Sequence, residues 1–207
     1  SAEGLRLLNE RLPAGSDLLV LEWLERIQIN ILITRPRNSK LGDFRPPHKN
    51  RPPRISINSD LHPVEFLITL AHELAHAVNW NKHGRSAKPH GIEWKYEFRG
   101  LLLQILESGL LETKFEEAIK ACYFKRESLA SSTCRNLRRL FDIDNPASDN
   151  VRLEDIPVGS VFLTKSRKYL IKGEKIRTRY KCREVKSRRI YTVHPMAEIV
   201  EFNPPKL

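Results

Sequence analysis

From Pro63 to Ala71 the chain reads Pro-Val-Glu-Phe-Leu-Ile-Thr-Leu-Ala, with apolar side chains on nearly every face that a helical period generates. Proline in the first turn opens such a helix, and a helix that is apolar all round belongs in a protein interior. The same pattern continues into Ala71-His72-Glu73-Leu74-Ala75-His76-Ala77, so polar groups enter a segment expected to be buried and must find partners there. Upstream, Ser16-Asp17 caps a predicted helix through Leu18, Leu21, Trp23, Leu24 and Ile27. Residues 28–34 read as a strand, with further short strands around 41–44 and 55–58. The segment between those two, 45–53, is basic and too rich in proline to feed a sheet ladder. Helical periodicity returns at 93–106, 113–125 and 133–141. Together these elements predict a small mixed sheet packed against helices.

Beyond position 141 the pattern changes. Residues 142–150 are polar, contain a proline and follow neither period, which reads as a linker. Short strands follow at 160–163, 169–171, 176–185, 190–193 and 198–202, with turns expected at Lys172-Gly173 and Lys186-Ser187. The expected architecture is α+β: a helical domain with a small mixed sheet over 1–141, a linker over 142–150, and a small all-β barrel or sandwich over 151–207.

Composition sharpens this division. The net charge is +11, and 151–207 hold 14 Lys and Arg against 6 Asp and Glu, while 1–150 hold 22 against 19. The excess therefore sits in the last quarter. Lys175, Arg177, Arg179, Lys181 and Arg183 alternate there with Ile176, Thr178, Tyr180 and Cys182, placing five cations on one face of an expected strand. Cys122, Cys134 and Cys182 form no paired motif and predict no disulfide framework, Cys122 and Cys134 reading as small buried side chains. No apolar run is long enough to span a bilayer and no signal-peptide pattern is present, so a soluble, cytoplasmic protein with no membrane partner is expected.

The candidate chemistry lies in the buried helix. His72 and His76 are four residues apart and share a helical face, so both can offer a nitrogen to one metal ion, while Glu73 stands beside it as a base. A catalytic zinc needs a third protein ligand and an open position for water. Asn79 and Lys82 stand where a metzincin continuation requires glycine and histidine, which excludes that spacing. His83, His90, Glu93 and Glu97 remain as third-ligand candidates, and geometry alone separates His90 from Glu93 only slightly.

The run His72-Glu73-Leu74-Ala75-His76, followed by His90-Gly91-x-Glu93-Trp94, resembles the SprT and Spartan family of zinc metalloproteases. Ser39-Lys40-Leu41-Gly42-Asp43-Phe44-Arg45 and Ile55-Ser56-Ile57-Asn58 resemble that family's strands before the motif helix, and the resemblance covers roughly 15–105. It implies a zincin-like fold, one catalytic Zn²⁺ on His72, His76 and His90, and Glu73 as general base. It further implies substrates bound or covalently crosslinked to DNA, DNA as a partner read with little sequence preference, and association with the nucleoid. The cationic stripe, with Lys186, Arg188 and Arg189 nearby, suits phosphate contacts, although charge on an exposed strand also blocks edge pairing. The last quarter departs from bacterial relatives that end in a zinc ribbon, because Cys182 alone cannot supply four ligands.

The expected mechanism is attack of a zinc-activated water on a peptide carbonyl, with Glu73 passing the proton to the leaving amine. Tyr96 and several arginines are candidates to stabilise the oxyanion, and Trp23, Trp80 and Trp94 read as core more than as substrate contacts. Two rival readings stand beside this one: a DNA-binding protein with a non-catalytic zinc site, and a zinc peptidase that acts independently of DNA.

Overall fold

The computed structural model of the protein describes residues 2–37, 40–124, 135–144 and 151–203. The chain begins with α1 (Ala2–Asn9) and α2 (Asp17–Arg26), then runs through β1 (Asn30–Thr34), β2 (Gly42–Arg45) and β3 (Arg54–Asn58). The apolar run becomes α3 (Pro63–His83), followed by α4 (Ile92–Glu107) and α5 (Thr113–Ile119). A π-helical turn at Lys120–Phe124 and α6 (Arg135–Asp144) come next. Helix α1 was not anticipated by periodicity, yet Leu8 in its last turn and Leu12 just beyond it are buried. The chain divides into two compact units, Ser1–Phe141 and Asp142–Leu207. None of the described helices is long and apolar enough to cross a membrane.

In the first unit three strands lie in the order β1-β3-β2. Strand β3 pairs in parallel with β1 and antiparallel with β2, which forms an edge with Gly42 opposite Ile57 and Phe44 opposite Ile55. Ile55 and Ile57 alternate with polar neighbours and are fully buried, as a half-buried strand requires. The chain between β1 and β2 is fastened by Arg37, whose guanidinium donates to Asn58 Oδ1 at 2.8 Å and Ser56 Oγ at 2.9 Å. Asn58 returns the bond, its amide donating to the carbonyls of Arg37 and Lys40. This network ties the chain leading into β2 to the end of β3.

Helix α3 is buried at every residue from Val64 to Ala71. Its first turn is capped by His62, whose Nδ1 accepts the Val64 N–H at 3.2 Å. The same ring packs against Phe115 and Phe141, at centroid distances of 5.3 and 5.2 Å. Glu65, carried into the interior by the helix, is met by Arg138 of α6 at 2.5 Å. At the other end Gly84, at φ 55°, donates its N–H to the Trp80 carbonyl and stops the helix.

The second unit is a single antiparallel sheet of β4 (Val161–Thr164), β5 (Tyr169–Ile176), β6 (Arg179–Glu184), β7 (Ile190–Val193) and β8 (Ile199–Asn203). Their order is β7-β6-β5-β4-β8. Its core is small: Leu153, Ile156, Phe162, Leu170, Cys182 and Ile199. The expected turn at Lys172-Gly173 is absent, and both residues lie inside β5. Lys172 points inward, donating to the Ile156 carbonyl at 2.6 Å with its ammonium 4.0 Å from the Tyr180 ring centre. Gly173 is there because the strands crowd, since a Cβ would sit 2.3 Å from the Lys181 carbonyl oxygen at a break in the ladder register. The actual turn is Arg177-Thr178, between the paired residues Ile176 and Arg179, and Arg177 takes φ 53°.

The hairpin also rearranges the expected cationic stripe. Arg179, Lys181 and Arg183 share the exposed face of β6, Arg177 sits at the turn, and Lys175 pairs with Tyr180 and so lies toward the opposite face. The cysteine reading needs a second correction: Cys122 is disulfide-bonded, while Cys182 is free and buried. Whether cysteines bond depends on their separation and orientation in space, which spacing motifs alone do not give. Cys134 lies outside the described residues, as does most of the segment read as a linker, 145–150, while α6 extends to Asp144.

The Gly173 contact makes a direct prediction. Gly173→Ala forces β5 and β6 apart and should destabilise the second unit by about 2–3 kcal/mol, the range of severe steric changes, read as a lowered urea midpoint. An unchanged midpoint would mean that the bulge absorbs a methyl group.

Candidate metal centre

His72 and His76 sit on consecutive turns of α3, with ring centroids 5.0 Å apart. His90 reaches them from the segment between α3 and α4, held at φ 57° just before Gly91, the N-cap of α4. Its Nε2 lies 3.2 Å from Nε2 of both His72 and His76. Two nitrogens bound to one tetrahedral zinc at about 2.0–2.1 Å stand about 3.3 Å apart, so the three donors fit a single ion of that size. The donor atoms all lie within 4.8 Å of one another, and this is the set that the structure brings together among the described residues.

Trp94 explains the arrangement. It is wholly buried in the first turn of α4, with ring centroids 4.7, 5.1 and 4.5 Å from those of His72, His76 and His90. Its indole N–H donates to the His72 carbonyl at 3.4 Å, tying α4 to the turn of α3 that carries His72. Gly91 permits the tight approach, because a Cβ there would stand 3.1 Å from the Lys88 carbonyl. The other third-ligand candidates lie elsewhere. Glu97 is bound to Lys82 at 2.6 Å, and neither Glu93 nor His83 joins the donor cluster found among the described residues.

Glu73 is buried beside this cluster and faces β2, where the Phe44 main-chain N–H donates to its carboxylate. The fit is close: a Cβ on Gly42 would lie 2.6 Å from Glu73 Oε1 and 2.8 Å from Thr69 Cγ2. Burial raises the Glu73 pKa to about 7, and nearby Asp43 adds to the rise. The Phe44 bond and the charges of Lys40 and Arg37 oppose it. Burial likewise lowers His72 to about 3 and His76 to about 4, and it lowers His90. All three imidazoles are therefore neutral near pH 7, the form that binds a metal.

These groups open into a cleft of about 530 Å³ between β2 and α3, lined also by Asn79, Trp80, Phe98 and Tyr123. Tyr96, named from sequence as a candidate near the oxyanion, is 77 % exposed and lines a separate groove. Tyr123 occupies the cleft instead, and burial together with the charge of Glu65 raises its pKa, so the phenol keeps its proton. It lies in a π-helical turn, which no hydrophobic period announces. Of the three tryptophans, Trp23 and Trp94 are core and Trp80 borders the cleft. The cationic residues Lys175, Arg177, Arg179, Lys181 and Arg183 belong to the second unit.

Residues 24–93 match the family model described as the IrrE N-terminal-like domain, Peptidase_M78, a zincin-like metallopeptidase-type domain. The matched stretch is roughly a third of the chain; it contains His72, Glu73, His76 and His90 and stops before the second unit. Neither the curated proteins nor the solved structures yield a significant match.

Two outcomes follow from this geometry. Gly42→Ala should displace Glu73 and lower any hydrolytic rate at least tenfold while the chain still binds metal, measured by turnover and metal content side by side. In the metal-free protein, the raised Glu73 pKa contributes stability that is complete below pH 4.5 and lost as pH rises through about 7. Glu73→Gln should therefore be more stable than wild type at pH 8, with the gap closing by pH 4.5 in urea titrations. The depressed histidines run in the opposite sense, losing stability as pH falls below 6.5 in both proteins alike.

Proposed function

We propose that this protein is a zinc-dependent peptidase whose active centre is His72, His76, His90 and Glu73, and that its substrates are proteins associated with DNA. The observation that carries the peptidase reading is three neutral imidazoles converging at 3.2 Å beside a buried carboxylate, in a cleft open to a polypeptide. A Zn²⁺ ion held there supplies Lewis-acid polarisation of a carbonyl and acidifies a water. Glu73, buried beside the three imidazoles, would accept a proton from water and return it to the departing amine nitrogen. Trp94 keeps the three imidazoles in place, and the Phe44 N–H orients the carboxylate. A site that only braced the fold would have no use for a carboxylate buried beside its ligands.

The DNA-directed part rests on two supports. One is the resemblance of the paired motifs to SprT and Spartan proteins. The other is the basic character of the second unit, with Arg179, Lys181 and Arg183 side by side on an exposed strand face and Arg177 at its turn.

The test is cleavage of a protein crosslinked to DNA, by wild type and Glu73→Gln, each with and without added single-stranded DNA. Wild type should cleave and Glu73→Gln should lose about 10²-fold or more, the scale of a general base. DNA affinity measured against salt should show a slope that becomes shallower by about 2–3 when Arg179, Lys181 and Arg183 are changed together to alanine. Cleavage that ignores DNA would leave a peptidase for soluble substrates. Zinc binding without cleavage in any lane would leave a binding protein with a structural metal.

A further inference from the structure

Helix α3 carries one more polar group into the cleft. Asn79 follows His76 by three residues and His72 by seven, so all three share a face of the helix. It is 2 % exposed and lines the cleft, as do Trp80, Ala87 and Pro89. Its Oδ1 is buried without a hydrogen-bond partner. The other such atoms among the described residues, Arg99 Nε and Ser160 Oγ, belong to residues that do not line this cleft. An acceptor stripped of water and left unpaired is costly, and native proteins rarely keep one without a use.

We propose that Asn79 is a substrate-binding residue that accepts a main-chain N–H from the peptide in the cleft, one helical turn beyond the metal ligands. The assignment rests on the peptidase reading above. A main-chain donor recurs at every residue of an extended peptide, whereas a side-chain donor would restrict the sequence. Asn79 thus fixes how far a segment slides along the cleft without selecting its side chains. The carboxamide gains its partner only when substrate is present, so its burial cost in the free protein is offset on binding.

The test joins stability with a chemical double-mutant cycle. Asn79→Leu removes the acceptor at similar volume, and Asn79→Ala guards against overpacking. Zinc-loaded wild type and both variants are compared in thermal unfolding, in bound zinc per chain, and in kcat and KM on a fluorogenic peptide that wild type cleaves. The same peptide is then N-methylated at each main-chain nitrogen in turn, which removes one donor at a time.

The expected result is unchanged zinc content, a melting temperature for Asn79→Leu equal to or above that of wild type, and a KM raised about 5- to 10-fold with kcat retained. One methylated position should cost wild type about tenfold in kcat/KM and cost the variants nothing further. A melting temperature lowered in both variants would mean that Oδ1 is paired within the protein or by a fixed water, and would overturn the assignment. An equal methylation cost in all three proteins would overturn it as well. Zinc-loaded wild type that cleaves no peptide would remove the peptidase reading and this assignment together, whereas cleavage with variants indistinguishable from wild type removes only the assignment.

Discussion

A helix enclosed on all sides over its first two turns, and carrying the chemistry over its next three, is the constraint from which the rest of the first unit follows. Because Val64 to Ala71 are all buried, α3 cannot turn its polar residues outward, and each must be answered where it stands. Glu65 meets Arg138, Glu73 meets the Phe44 N–H, and the His72 carbonyl receives the Trp94 indole. The same enclosure lowers the histidine pKa values and raises that of Glu73. Metal-ready imidazoles and a carboxylate poised near neutrality are thus two results of one desolvation, and neither needs a dedicated charge partner.

What could be read from the sequence was whatever depends on local period. Proline at the first turn and an unbroken apolar run defined α3, and alternation around Ile55 and Ile57 gave a buried strand. His72 and His76 shared a face by spacing alone. His90 was a different case, because its approach depends on a left-handed backbone at φ 57° and on Trp94 filling the space beneath it. Neither is a property of spacing, and the motif resemblance pointed to His90 where geometry left Glu93 and Glu97 open. Tyr123 and Asn79 were invisible as cleft residues for a related reason. One sits in a π-helical turn and the other is an ordinary polar residue on a helix, and only the folded neighbours give them meaning.

In the second unit the errors have a single origin. Lys172-Gly173 has the composition of a turn, yet the glycine answers to the Lys181 carbonyl and the lysine turns inward to the Ile156 carbonyl. Arg177-Thr178 has no turn signature and makes the hairpin, because pairing of Ile176 with Arg179 leaves two residues to reverse the chain. With few apolar residues to bury, this sheet takes part of its order from main-chain contacts and from a lysine serving as a core residue.

The bond between Phe44 and Glu73 has one more consequence. Strand β2 is a sheet edge, and an edge with open N–H groups is a template on which any passing extended chain can add a strand. Glu73 occupies the Phe44 N–H from inside the molecule, and Gly42, two residues away, lies too close to the same carboxylate to carry a side chain. The Glu73 carboxylate therefore also interrupts the edge, so that strand addition, a route to self-association, meets a gap in the ladder beside the histidine cluster.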